Sequence, residues 1–129
     1  MKLRALLLAV LVFPSVALAG STATILTGTF VKRITGKAPP LNGNWRLKLR
    51  NDGTFETARN GVVVVRGVAA GVNGKLSIGD QRGPYRCLGR QRVAAYNYTL
   101  RNRKLTLRPI VELCAGRRTV LTTGSFTKQ

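Results

Sequence analysis

Histidine is missing from this chain of 129 residues, and acidic residues are scarce, with four Asp and Glu against 22 Lys and Arg. Zinc enzymes and serine hydrolases of the usual kind use imidazole as a ligand or a base, so the lack of His argues against both classes. The acids are too far apart in the sequence to suggest a catalytic carboxylate pair. We therefore predict a protein that is not an enzyme and that holds no metal and no cofactor.

Each of the four acids also has a structural interpretation. Asp52 and Asp80 fall in predicted turns, where a carboxylate can accept hydrogen bonds from the backbone. Glu56 falls in a predicted strand among many cations, which predicts an ion pair. Glu112 lies close to a cysteine, where it is placed to anchor Arg117 or the arginine that follows it.

Long apolar runs are also missing, apart from one at the N-terminus. Lys2 and Arg4 precede an apolar run at 5–12, and residues 17–19 (Ala-Leu-Ala) have the small side chains of a cleavage site. We predict that residues 1–19 are a secretory signal peptide and that residues 20–129 form one secreted or periplasmic domain. A buried N-terminal helix is the alternative. The apolar run is too short to span a bilayer.

Only two cysteines are present, Cys87 and Cys114. An even number of cysteines in a small exported domain predicts a disulfide. The bond would close a loop of about 28 residues, which the chain-entropy treatment values at about 3.5 kcal/mol. A catalytic cysteine is the alternative, but it needs a nearby base and none is evident.

What the rest of the sequence contains is short runs with a two-residue period, separated by Gly, Asn and Asp. Apolar and basic side chains alternate over 45–50, which predicts a strand with one apolar and one basic face. Asn60-Gly61 and Asn73-Gly74 are hairpin signals, and Gly67 predicts a bulge. The predicted strands cover 23–34 (bent at Gly28), 45–50, 54–58, 62–70, 75–79, 96–100, 104–108 and 118–123, with a longer loop over 80–90 and no helix.

About eight strands joined in order by short turns predict an all-β fold, an antiparallel up-and-down meander that closes into a small barrel. A two-sheet sandwich is the alternative. Alternate connections of a meander lie at the same end of the barrel. The two connections that hold Cys87 and Cys114 are therefore predicted to lie next to each other. Trp45 begins the second strand at that end, where we expect it to plug the barrel and to stack on the guanidinium of Arg117.

A series of short motifs runs from about residue 41 to the C-terminus. They are Gly43-Asn44-Trp45, Asp52-Gly53-Thr54-Phe55, Gly67, Gly83-Pro84 with Cys87, Tyr96-Asn97-Tyr98 with Leu100 and Leu105, and Glu112-Leu113-Cys114-Ala115-Gly116-Arg117. This order resembles small secreted bacterial lipocalin-like proteins of the calycin superfamily. The resemblance implies a lipocalin-like barrel with structural roles for Gly43, Trp45 and Arg117.

Two departures bear on the barrel interior. The aromatic residue often found one position after the fourth-strand glycine is Val68 in this sequence. The chain is also short for a lipocalin, and side chains nearly fill a small barrel of eight strands. The resemblance therefore implies the fold more strongly than it implies a spacious ligand cup.

Two functional hypotheses follow. The resemblance favours an exported carrier of a small apolar molecule, which the inward side chains of Trp45, Tyr96 and Tyr98 would contact. The alternative is a filled barrel whose basic exterior binds anionic polymers or acidic membrane surfaces.

The alternative depends on an unusual charge. The net charge is +18, or +16 without Lys2 and Arg4, and the isoelectric point is about 11.7. Few aromatic side chains lie among the cations, so we predict no specific nucleic-acid partner, and we expect a monomer. The candidate polyanion-binding residues are Arg46, Lys48, Arg50, Arg101, Arg103, Lys104 and Arg108.

Overall fold

The computed structural model describes residues 22–129, and the predicted signal peptide lies outside these residues. Eight antiparallel strands pair in chain order, and the last strand pairs with the first, which closes a barrel. The strands are β1 Gly28–Ile34, β2 Gly43–Leu49, β3 Thr54–Arg59, β4 Val62–Val72, β5 Lys75–Arg82, β6 Val93–Arg101, β7 Lys104–Val111 and β8 Phe126–Lys128. One helix, α1 Ala115–Thr122, and short 3₁₀ turns at Pro39–Leu41 and Gly89–Arg92 complete the fold. The predicted all-β meander and its closure into a barrel are confirmed.

Strand alternation and turn chemistry explain most of this fold. The apolar side chains of β2, Trp45, Leu47 and Leu49, are buried in the core, and the basic side chains between them face outward. Asn60 and Asn73 each adopt a left-handed φ, near 50°, before a glycine that does the same. Two successive residues of this kind form the turn that matches the twist of a hairpin. Both predicted hairpins are therefore present.

The predicted bulge at Gly67 is also present, as a register shift between β4 and β5 at Arg66 and Gly67. The two strands approach so closely there that a Cβ atom at Gly67 would collide with the backbone carbonyl of Gly79. A glycine is therefore required at this position for packing, and the bulge bends β4 around the core.

The first strand is shorter than predicted. Pairing with β2 begins at Gly28, and Ile25 forms an isolated bridge with Val72 of β4 instead. The backbone amide of Leu26 donates to the carbonyl of Gly71 at 2.8 Å, and the Leu26 side chain is buried in the core. The segment before Gly28 thus crosses one end of the barrel and closes it.

The predicted last strand over 118–123 is wrong, because these residues belong to helix α1 and the last strand follows at Phe126–Lys128. The helical period of 3.6 residues puts Arg117, Val120 and Leu121 on one face, and both apolar side chains enter the core. Gly124, with a φ of 66°, follows the C-cap Thr123 and ends the helix. The β-branched residues of this segment favour a strand locally. The helix forms nevertheless, because it buries Val120 and Leu121 against the barrel core.

Candidate binding sites

The disulfide joins two neighbouring loops at the end of the barrel opposite Leu26, which we call the disulfide end. Cys87 and Cys114 are bonded, with 6.1 Å between their Cα atoms, as the sequence predicted. A carboxylate holds the backbone of each cysteine. The amide of Cys87 donates to Asp80 Oδ2 at 2.8 Å, and the amide of Cys114 donates to Glu112 Oε1 at 2.8 Å.

Arg117 bridges these two carboxylates. Its Nη1 atom lies 3.1 Å from Asp80 Oδ1, and its Nε atom lies 2.7 Å from Glu112 Oε2. The side chains of Asp80 and Glu112 are 1% and 0% exposed, and that of Arg117 is 8% exposed. Arg117 also donates to the backbone carbonyls of Gln91 and Arg92. One guanidinium therefore links the end of β5, the 3₁₀ turn before β6 and the loop after β7 to the first turn of α1.

Tyr96 completes this buried arrangement, which we call the Arg117 cluster (Arg117, Asp80, Glu112 and Tyr96). The Tyr96 hydroxyl donates to Glu112 Oε2. Burial and then this hydrogen bond raise the pKa of Tyr96, so the hydroxyl stays protonated. Burial lowers the pKa of Arg117, but the hydrogen bond to Glu112 and the charges of both acids outweigh it, so the net shift is upward.

The cluster corrects two expectations about the acids. Asp80 does not serve a turn, because β5 continues to Arg82 and the Asp80 side chain faces the barrel interior. Asp80 and Glu112 are far apart in the sequence, but both carboxylates contact the guanidinium of Arg117. The predicted anchoring of Arg117 by Glu112 is present. So are the turn role of Asp52, which accepts from the Thr54 amide at 3.0 Å, and the ion pairing of Glu56.

Trp45 lies at the disulfide end and is 3% exposed. Its indole Nε1 donates to the Leu41 carbonyl at 2.8 Å, and its ring packs against Tyr85 with 6.2 Å between ring centroids. The predicted stacking on Arg117 is wrong, because the two buried carboxylates hold that guanidinium instead. Gly43, at the start of the same strand, packs so closely on the Asn60 side chain that no Cβ fits there.

A small cavity of about 90 Å³ remains inside the barrel at the disulfide end. Pockets for small-molecule ligands usually have about 300–1,000 Å³. The cavity is therefore much smaller than an ordinary ligand pocket. Its lining includes Leu41, Trp45, Tyr85, Arg117, Val120 and Leu121.

The two tyrosines predicted as ligand contacts lie elsewhere. Tyr96 is fully buried in the Arg117 cluster, and Tyr98 packs against the core farther along β6. The Tyr98 hydroxyl is buried and has no hydrogen-bond partner among residues 22–129. Of the three predicted contacts, the cavity wall includes Trp45 alone.

The predicted basic residues form two separate groups on the outer surface. On β2, Arg46 and Lys48 are partly buried, and Arg50 pairs with Glu56 of β3 at 3.0 Å. The second group lies at the hairpin between β6 and β7, and β1 and β8 separate it from β2.

In the second group, Arg101 and Lys104 are exposed and directly opposite each other, and Arg108 is exposed farther along β7. We call these three residues the hairpin patch. Arg103 is engaged in the fold instead, because its guanidinium donates twice to the Lys128 carbonyl.

The acids neutralise only a few of the cations. Twenty of the 22 Lys and Arg follow residue 19, and three of them form ion pairs in the described part of the chain: Arg50 and Arg66 with Glu56, and Arg117 with Asp80 and Glu112. The other seventeen therefore have no acidic partner among residues 22–129. Two of the four acids, Asp80 and Glu112, are buried inside the barrel, so they offset little of the charge of the surface cations.

Lys32 is a partly buried cation on the inward side of β1. Its ammonium lies 4.0 Å from the centre of the Phe126 ring and donates to the Thr123 carbonyl at 2.9 Å. Burial lowers the pKa of Lys32 to about 7. The signal for its burial was present, since Lys32 shares the inward parity of Phe30 and Ile34.

Comparisons with protein-family models, curated proteins and solved structures find no match to this chain. The fold itself defines a class, the small antiparallel eight-stranded up-and-down barrels, here with one disulfide. Among residues 22–129, no helix is long and apolar enough to cross a membrane.

Proposed function

We propose that this protein is an exported, non-enzymatic lipocalin-like barrel that binds anionic partners through its basic outer surface. The observation that carries the proposal is the combination of seventeen cations without acidic partners in the described residues and a cavity of only about 90 Å³ at the disulfide end of the barrel. The disulfide supports an oxidising compartment, and the order of the strands is compatible with the lipocalin-like resemblance.

The hairpin patch is the best candidate for the contact. Arg101, Lys104 and Arg108 are exposed on one pair of strands, and no ion pair holds them among the described residues. Lys104 donates to the Thr127 hydroxyl at 2.9 Å, but no carboxylate competes with a phosphate or sulfate group for any of the three cations among residues 22–129. Those on β2 are less available, because they are partly buried and one pairs with Glu56.

The test compares two variants with the same net charge. The first replaces Arg101, Lys104 and Arg108 with Gln. The matched control replaces three exposed cations near the disulfide end with Gln, namely Arg33, Lys37 and Arg118. Affinity for heparin and for a duplex oligonucleotide is measured from low salt to about 0.15 M, where charges are screened beyond about 8 Å.

We expect the wild type to retain binding at the higher salt concentration and to prefer one anion over the other. Each lost phosphate contact should reduce the slope of log affinity against log salt by about 0.9 on duplex DNA, so the hairpin variant should lose up to about three units. The control should lose less. Equal losses in both variants would mean that net charge alone drives binding, and absence of wild-type binding at about 0.15 M would reject the proposal.

The carrier of a small apolar molecule is the second candidate, and Trp45 and other apolar side chains in the cavity wall favour it. A cavity of 150 Å³ holds benzene, so a cavity of about 90 Å³ restricts a carrier to a smaller molecule unless the end of the barrel opens. Mass spectrometry of the purified native protein tests this candidate, which requires a co-purified apolar compound.

A further inference from the structure

A shallow apolar groove of about 580 Å³ crosses the outer surface of β4, β5 and β6. Three valines form its ridges, with 46% of Val68, 59% of Val93 and 55% of Val111 exposed. No Lys, Arg, Asp or Glu side chain lines it. An exposed apolar patch of this kind often marks an interaction site, and it is unusual on a surface with so many cations.

The register of the strands builds this groove. Val68 lies opposite Gly79, which lies opposite Val93, so a residue without a side chain separates two valines. A Cβ atom at Gly79 would lie 3.3 Å from a methyl of Val68 and 3.9 Å from one of Val93. The next row has small residues in the same arrangement and ends at Val111: Ala70, Ser77, Ala95 and Val111.

Cations border both ends of the groove. Toward the disulfide end, Arg66 and Arg82 lie opposite each other on β4 and β5, and both are exposed. Arg66 also pairs with Glu56 at 3.5 Å, whereas Arg82 has no acidic partner among residues 22–129. Toward the other end, the row after the small residues contains Lys75 and Arg108, which are also exposed. The surface is thus an apolar strip between two basic rims, and Arg108 also belongs to the hairpin patch.

We propose that this groove docks on an anionic lipid bilayer, an inference that rests on the proposed function and names its partner. The positive charge of the basic rims is complementary to that of anionic headgroups, and the valine ridges can enter the boundary between headgroups and acyl chains. A soluble polyanion would use the rims but would leave the apolar strip in water. A second copy of this chain would bring the rims of both copies together, where like charges repel.

The test removes the apolar character of the ridges without changing charge or branching. Val68, Val93 and Val111 are replaced by Thr, which is β-branched and close to Val in shape, so strand preference is kept. The matched control replaces Val62 and Ile25 by Thr, because these side chains are 64% and 63% exposed and lie outside the groove. Binding is measured at about 0.15 M salt to vesicles of phosphatidylcholine and of phosphatidylcholine mixed with phosphatidylglycerol.

We expect the wild type to bind the anionic vesicles and not the neutral ones. The groove variant should lose at least about tenfold in vesicle affinity, and the control should stay within about twofold. The reason is that only the groove variant removes apolar surface that would enter the bilayer on binding. Heparin affinity should be the same in all three proteins, since none of the changes alters a charge.

The outcomes separate the two proposals. If the wild type binds heparin and the groove variant keeps its vesicle affinity, or if the wild type binds no vesicles at all, the groove inference is overturned and the proposed function stands. A protein that binds neither heparin nor anionic vesicles overturns both. Self-association of the wild type that the groove variant abolishes, measured by sedimentation, would assign the groove to a second copy and likewise overturn the inference.

Discussion

Removing the guanidinium of Arg117 should destabilise this barrel more than most single substitutions. In Arg117→Met the buried carboxylates of Asp80 and Glu112 lose the cation that binds them both, and Glu112 retains Tyr96 as a neutral donor. Breaking a buried ion pair by removing one partner typically costs about 3–5 kcal/mol. At about 4–8 °C per kcal/mol for a domain near this size, the melting temperature should fall by about 12 °C or more.

The assay is chemical and thermal denaturation followed by circular dichroism, with the disulfide kept oxidised. A triple variant, with Asp80→Asn and Glu112→Gln added to Arg117→Met, separates charge from packing. We expect it to recover part of the lost stability, since its polar groups are neutral and can still accept hydrogen bonds from the cysteine amides.

Two results would refute this reasoning. If Arg117→Met were nearly as stable as the wild type, the guanidinium would offset little of the free-energy cost of burying the two carboxylates. A triple variant no more stable than Arg117→Met would mean that lost packing and not unpaired charge causes the effect.

Two further predictions concern the disulfide and Lys32. Replacing Cys87 and Cys114 by Ser should lower the free energy of unfolding by about 3.5 kcal/mol. Thiol alkylation of the wild type before and after reduction tests whether the disulfide is present, and labelling of the native oxidised protein would contradict it. Because the pKa of Lys32 falls from 10.5 to about 7 on folding, the unfolded chain binds more protons between these values, so stability should rise with pH over this window. Lys32→Met should lack this rise in denaturation at pH 6 to 10, and a parallel pH dependence in both proteins would show that Lys32 is not the cause.

Local patterns predicted much of the fold. The alternation in β2 and the Asn-Gly turns after β3 and β4 depend on residues within a few positions of one another, and the structure has them where the sequence indicates. The pairing of Cys87 with Cys114 followed from counting connections in a meander. Helix α1 was missed because the β-branched residues in it favour a strand locally, whereas contacts of Val120 and Leu121 with the core decide its conformation.

The sequence by itself determined the properties that add up along the chain or repeat with a short period: the net charge, and the first seven strands with their up-and-down order. Tertiary structure alone decided which distant residues meet. Asp80, Glu112 and Arg117 converge only when the barrel closes, because their side chains come from strand β5, the loop after β7 and helix α1. The apolar groove likewise depends on the register that the bulge at Gly67 imposes between β4 and β5. A shift of one residue would turn each ridge side chain to the opposite face of the sheet, and no local pattern specifies which register the closed barrel adopts.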